Sequence, residues 1–127
     1  MKNHVEIFKA LGDKTRLRIT CLLIDSGTEI CGCEFVDSLE ESQYNISRHI
    51  KVLKHAGLIK DRKEGRWVYY SVADRKDSFK KTLYKLIGCI PEDIIKNDQK
   101  RLTKRLNIRV KGKCLLGIQN KRFAKIQ

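Results

Sequence analysis

Apolar positions recur with a helical period over most of this chain, and the period changes once. Ile7, Phe8 and Leu11 share one side of a segment that Gly12 stops, which predicts a first helix over residues 5–11. Asp13 can cap a second helix, in which Leu17, Cys21 and Ile24 recur at spacings of four and three until Ser26-Gly27 ends it. A third, short helix is expected over residues 31–39, with Phe35, Val36 and Leu39 turned inward. The fourth has the clearest pattern. Ser42 has the type and position of an N-cap, and Ile46, His49, Ile50 and Leu53 then form one apolar stripe before Gly57 closes the helix. Next come two extended runs, residues 58–62 and 67–72, around the turn Lys63-Glu64-Gly65-Arg66, and they predict a β-hairpin. Asp74 or Asp77 can start a last helix whose wide apolar face carries Phe79, Leu83, Leu86, Ile87 and Ile90. Pro91 either stops that helix or restarts one at its first position, with residues 92–106 able to continue helically. The last twenty residues show no assignable pattern.

Two short helices, a turn, a helix with one apolar and one polar face, then a hairpin describe a winged helix-turn-helix. The expected class is mainly α (α+β), with a two-stranded β-hairpin wing and a basic C-terminal extension. Residues 1–90 would form the DNA-binding and dimerisation domain, and residues 91–127 the extension. On the fourth helix Ser42, Gln43, Tyr44, Ser47, Arg48 and Lys51 lie away from the apolar stripe and can face a major groove. Gln43 suits adenine, Arg48 guanine or phosphate, and Ser47 permits close approach. Arg62, Lys63 and Arg66 at the hairpin tip would then meet the backbone or the adjacent minor groove. His49, inside the stripe, reads as a packed and hydrogen-bonded histidine.

Charge sharpens this picture. The 127 residues carry a formal net charge of +13, which suits double-stranded DNA as partner. From Lys96 onward eleven basic residues face one acid, Asp98, so the extension holds most of the excess. A chain of this size buries a modest core, so a dimer that buries further apolar surface would be unsurprising. No long apolar run and no signal-peptide pattern is present, which predicts a cytoplasmic protein without a membrane partner. No Ser/His/Asp arrangement, phosphate loop or paired-carboxylate site stands out, and no enzymatic activity is expected.

Three separated stretches carry a family likeness. Phe8-Lys9-Ala10-Leu11-Gly12-Asp13 with Thr15-Arg16, SQYNISRHIKVLKHAGLI from Ser42, and EGRWVYYSV from Glu64 closely resemble the ArsR/SmtB family of metal-sensing repressors. The resemblance runs from residue 5 to about residue 90. It implies a winged-helix homodimer, paired through its first and last helices, that binds an imperfect palindromic operator. The arsenic-responsive branch carries Cys-x-Cys at the start of the third helix, followed by an acidic and a hydrophobic residue. Cys31, Cys33, Glu34 and Phe35 match that pattern, while Val36 stands where many members have a third cysteine. The family's other site, at the dimer interface of its zinc and nickel sensors, needs His and carboxylate ligands that residues 79–90 lack.

Five cysteines in a cytosolic chain are read as reduced thiols. Paired thiolates select soft ions such as As(III), Sb(III), Cd(II), Pb(II), Cu(I) or Zn(II); the resemblance to the arsenic-responsive branch implies As(III) or Sb(III) as inducer, alternatively Cd(II), Pb(II) or Zn(II). No cofactor is expected for DNA binding itself. In a straight helix residues i and i+2 point roughly 200° apart, so Cys31 and Cys33 would chelate one ion only if the helix start unwound, which Gly32 would ease. Cys114, Cys89 and Cys21 are open as a third ligand, as is completion by solvent or a small thiol. Cys114, after Lys111-Gly112-Lys113, has the electropositive setting that favours a thiolate. Two alternatives use the same sulfurs: a thiol redox-sensing repressor, and a thiol redox or metal-carrier protein. The extension itself could add phosphate contacts, supply Cys114, or be disordered.

Overall fold

Asp13 and Ser42 set the two helix starts that position the rest. The Asp13 carboxylate accepts a hydrogen bond from the Arg16 N–H at 3.1 Å, and Ser42 Oγ accepts one from the Asn45 N–H at 3.1 Å. Each satisfies a donor that the first helical turn would otherwise leave unpaired. A computed structural model describes residues 1–119; the final stretch of the unassigned extension, residues 120–127, lies outside the described residues. The elements run α1 (Lys2–Leu11), α2 (Lys14–Ser26), β1 (Ile30–Cys31), α3 (Gly32–Leu39), α4 (Gln43–His55), β2 (Ile59–Glu64), β3 (Trp67–Val72), α5 (Ser78–Ile87) and α6 (Glu92–Asn107).

The α4 stripe is buried as its spacing requires, with Ile46, His49, Ile50 and Leu53 all inward. They join Ile19, Leu22, Leu23, Phe35, Leu39 and Leu58 in one core. The hairpin is present, but its turn is tighter than the sequence suggests. Glu64 pairs with Trp67, leaving Gly65-Arg66 as a two-residue loop, and Gly65 adopts φ 61, a conformation open to glycine. The sheet also has a third strand that the sequence does not reveal. β1 pairs antiparallel with β3, Ile30 opposite Tyr70 and Cys31 opposite Tyr69, in the order β1-β3-β2. Two residues carry no readable alternation, and only the tertiary partner makes them a strand.

Asp77 rather than Asp74 caps α5, accepting from the Lys80 N–H at 3.0 Å. Of its apolar face, Leu83 and Ile87 are buried, Phe79 and Ile90 are half-buried, and Leu86 is 67 % exposed. Leu86 shares its exposure with Val5 and Phe8 of α1, so these two helices carry apolar surface that the described residues do not cover. Beyond Pro91, α6 packs along α3 and α2, and its Ile95 and Leu102 enter the main core. Among the described residues, no helix is long and apolar enough to cross a membrane.

Arg16 clamps three helices through its guanidinium. It donates to the carbonyls of Ala10 and Lys9 at the end of α1, at 2.7 and 3.4 Å, and to His49 Nδ1 of α4 at 3.1 Å. An imidazole that accepts at Nδ1 from a cation is neutral. Burial pushes the His49 pKa below its ordinary 6.5, with the Arg48 and Arg16 charges acting in the same direction against Asp13. The unfolded chain therefore takes up a proton there that the folded chain refuses. Stability from this residue is full above about pH 6.5 and declines as pH falls through that value. His49→Gln, which keeps an acceptor for Arg16, is expected to flatten the fall of the thermal midpoint between about pH 7 and pH 5.5. An unchanged slope would contradict this assignment.

Candidate metal centre and DNA-facing surface

Three sulfurs converge where β1 meets α3. Cys33 Sγ lies 3.4 Å from Cys31 Sγ and 3.3 Å from Cys114 Sγ, and all three fall within 4.8 Å of one another. Cys31 and Cys114 are buried and Cys33 is half-buried. The meeting of Cys31 with Cys33 corrects the helix-unwinding expectation. Cys31 is the last residue of β1 and the N-cap of α3, with extended φ −75 and ψ 152. It therefore does not follow the helical 100° step, and its side chain turns onto that of Cys33 without distortion of α3. Gly32 supplies no special backbone freedom: its φ is not positive, and an added Cβ would meet only Tyr70 Cε2 at 3.7 Å, an ordinary contact.

Each sulfur is held from a different element. The Cys31 N–H donates to Glu34 Oε1 at 2.8 Å, half of a capping box, and its backbone is paired with Tyr69. Cys33 sits in the first turn of α3. Cys114 follows the small turn in which Val110 bridges Lys113, and its N–H donates to the Tyr69 hydroxyl at 2.9 Å. Tyr69 of the wing thus touches two of the three cysteine segments.

Four charged residues fix the C-terminal segment in place. Arg109 grips the fully buried Glu34 through Nε and Nη2, at 2.7 and 2.6 Å, and donates to the Glu29 carbonyl at 2.7 Å. Arg105, 4 % exposed, donates from Nε to Asp37 at 2.7 Å and from Nη2 to the carbonyls of Leu116 and Gly117. The same Nη2 lies 3.5 Å from Cys33 Sγ and 3.8 Å from Cys114 Sγ. None of these inward arginines was singled out from sequence, where they merged into a run of basic residues. A usable signal existed: Ile95, Asp98, Leu102 and Arg105 follow spacings of three, four and three, the buried face of α6. Glu34 and Asp37, three apart on α3, complement Arg105 and Arg109, four apart in the opposite order.

The thiols do not titrate alike. Hydrogen bonds from Cys114 and then Cys33 hold the Cys31 thiol far below its ordinary value, outweighing burial, and the Cys33 N–H adds to the effect. Cys33 shifts upward through its bonds to Cys114 and Cys31 together with burial, and Cys114 shifts upward chiefly through its bond to Cys31. The trio is a soft sulfur donor set that suits a soft ion, with Cys31 the most readily ionised of the three. The other cysteines stand apart. Cys21 is in the core, its thiol pushed up to about 11 by burial, and Cys89 is exposed with its Sγ on the Lys85 carbonyl.

On α4, Ser42, Gln43, Tyr44, Ser47, Arg48 and Lys51 are all exposed on one side. Arg62, Lys63 and Arg66 are exposed at the wing. Arg62 is engaged within the chain, donating to Glu29 at 2.9 and 3.0 Å and to Glu64 at 3.0 Å, while Arg66 stacks 4.8 Å from the Trp67 ring. A cleft of about 230 Å³ runs between the two surfaces, lined by Cys33 and Val36 on one side and Gln43, Ser47 and Trp67 on the other.

Comparison with known proteins agrees with this architecture. The signature of the bacterial regulatory protein arsR family matches residues 13–61. Over 69 residues, 54 % of this chain, 49 % are identical to an uncharacterized HTH-type transcriptional regulator, MJ1325, of Methanocaldococcus jannaschii, of which the match covers 76 %. The arsenical resistance operon repressor of Escherichia coli K12 is 45 % identical over 69 residues, and the match spans 58 % of its length. Among solved structures, the homodimeric winged helix-turn-helix DNA-binding domain of Mb0332 from Mycobacterium bovis, a possible ArsR-family regulator, superposes with a TM-score of 0.60. It is 26 % identical, over 68 % of this chain and 75 % of that one. These relatives are regulators and not enzymes. With its helix order, its wing and its shared sequence, the chain belongs to the ArsR/SmtB family of winged helix-turn-helix transcriptional regulators.

Proposed function

We propose that this chain is a homodimeric, cytoplasmic repressor that binds an imperfect palindromic operator and is released when Cys31, Cys33 and Cys114 capture a soft metal or metalloid. Arsenite and antimonite are the favoured inducers, with Cd(II), Pb(II) and Zn(II) as alternatives. The observation that carries this reading is the convergence of three sulfurs within 4.8 Å on the segment that precedes the recognition helix. They supply the three thiolates that a trivalent metalloid takes, with Cys114 in place of the cysteine absent at Val36. The name of the Escherichia coli relative supports an arsenical inducer.

The residues suggest how capture reaches DNA. The S–S contacts of 3.3 and 3.4 Å are shorter than the roughly 3.8 Å that separates thiolates around a tetrahedral ion at about 2.3 Å. Loading the site with a tetrahedral ion such as Cd(II) or Zn(II) would spread the sulfurs, and bonding to any of the soft ions would tie Cys33 and Cys114 rigidly to Cys31. Cys31 is pinned by β1 and Glu34, so the displacement falls on the first turn of α3, on Tyr69 of the wing, and on the Cys114 segment. α3 packs on α4, and β3 leads to the hairpin tip. Both routes end at groups expected to touch DNA. A coupling of about 1–3 kcal/mol, common for allosteric proteins, corresponds to a loss of DNA affinity of about 5- to 150-fold. The uncovered apolar faces of α1 and α5 are the surface on which the partner would sit.

A thiol redox-sensing repressor is the second reading, and the 3.3 Å contact of Cys33 with Cys114 favours it. Peroxide would remove two thiol hydrogens to form a Cys33–Cys114 disulfide, itself being reduced to water. The two readings separate in one experiment. Operator binding is followed by fluorescence anisotropy with arsenite in reducing buffer, and separately with peroxide in metal-free buffer. Arsenite is expected to weaken binding of the native protein by about 5- to 150-fold, while Cys31→Ser, Cys33→Ser and Cys114→Ser bind DNA and no longer respond. Arg48→Ala is expected to lose operator affinity with or without arsenite. Release by peroxide alone would favour the redox reading, and an unimpaired arsenite response in all three serine variants would contradict the metal reading.

A further inference from the structure

Arg105 is a buried cation aimed at the sulfurs rather than merely near them. Nη2 lies against Cys33 Sγ and Cys114 Sγ at 3.5 and 3.8 Å, and Nε is fixed by Asp37 at 2.7 Å. Among the described residues its Nη1, also buried, has no hydrogen-bond partner. A guanidinium at 4 % exposure is costly to bury, and its Nη2, which also donates to the Leu116 and Gly117 carbonyls, is the atom that senses negative charge accumulating on the sulfurs.

Soft ions differ in how much charge they leave on three thiolates. Arsenite exchanges its three hydroxyls for three thiols and releases three waters, giving a neutral trithiolate. Pb(II) displaces three thiol protons, and its trithiolate keeps one negative charge. Both ions carry a lone pair and take three sulfurs on one side; they differ in size and in charge, and charge is the difference that an adjacent cation senses. Arg105 pairs with Asp37 and Arg109 with Glu34, so the charge of the loaded site is added beside two ion pairs. Hydrogen bonds from a guanidinium to sulfur strengthen as the sulfur becomes more anionic.

We propose that Arg105 is a specificity-determining residue of the trithiol site, one that favours soft divalent cations over trivalent metalloids by compensating the negative charge of the divalent complex. This rests on the reading of the three sulfurs as the metal centre. Arg105 does not ligate the ion. It acts through the sulfurs, and Asp37 opposes it by placing a negative charge on the far side of the same guanidinium.

The test is a pair of substitutions with opposite expected signs. Pb(II) and arsenite affinities are measured on the full-length protein by thiolate charge-transfer absorption, in competition with a chelator for Pb(II) and with a dithiol for arsenite. Arg105→Met is expected to lower the ratio of Pb(II) to arsenite affinity by at least about tenfold, within the range found for groups that support metal ligands. Asp37→Asn is expected to raise that ratio. Equal losses for both ions in both variants would overturn the proposal, because they would mean that Arg105 only anchors the Cys114 segment. An unchanged ratio would overturn it as well. Should the methionine variant not fold, the sign of the Asp37→Asn change decides alone. Failure of the underlying site is distinguishable: absorption by either ion would then persist in Cys33→Ser and Cys114→Ser.

Discussion

The whole site depends on two carboxylates of α3 being held by two arginines beyond it in the chain. Glu34 and Asp37 are buried, as acids rarely are without a partner, and Arg109 and Arg105 supply those partners from α6 and its continuation. Breaking such a pair by removing one member typically costs about 3–5 kcal/mol, since the other charge stays buried. That penalty fixes the register of α6 against α3. The register in turn carries Cys114 to within bonding reach of Cys33 across 81 residues of sequence. An apolar contact of similar area would hold the helices together but would tolerate sliding. The ion pairs do not, which is why a ligand this remote can complete a compact site.

Much of the fold was legible because it obeys a single period. The stripe of α4, the caps at Asp13 and Ser42, and the switch to aromatic and β-branched residues in β3 each follow from local rules, and each is found in place. The missed features are those that local rules do not contain. β1 is two residues long and exists through its pairing with Tyr69 and Tyr70. That pairing takes Cys31 out of the helical geometry and brings its sulfur to Cys33, where a helix-based argument had required unwinding. The inward arginines were hidden by their own charge: in a sequence rich in Lys and Arg, solvation is the default reading, and for Arg105 only its spacing with Ile95, Asp98 and Leu102 speaks against it. The charge excess of the extension is accordingly less available to a polyanion than counting suggests, since Arg101, Arg105 and Arg109 are committed to contacts within the chain.

The proposed recognition surface and the candidate metal centre share structural supports while remaining chemically separate. Tyr69 belongs to the wing yet binds the Cys114 N–H and sits opposite Cys31. α3 holds Cys33 at one end while packing on α4, and one cleft is lined by Cys33 and Val36 of α3, Gln43 and Ser47 of α4 and Trp67 of the wing. A site that is already assembled differs from one built by induced unwinding. On the proposed reading little ordering entropy is lost on capture, and the response passes from the preplaced sulfurs through packed elements. The same preassembly makes the selectivity of the site a matter of charge, set by Arg105 and Asp37, more than of reach.

The central claim is that one protomer supplies three sulfurs to a single ion. X-ray absorption at the arsenic edge of the arsenite-loaded protein tests it most directly. Three sulfur neighbours are predicted for the native chain, falling to two sulfurs and an oxygen in Cys114→Ser. Two sulfurs in the native protein, unchanged by that substitution, would contradict it.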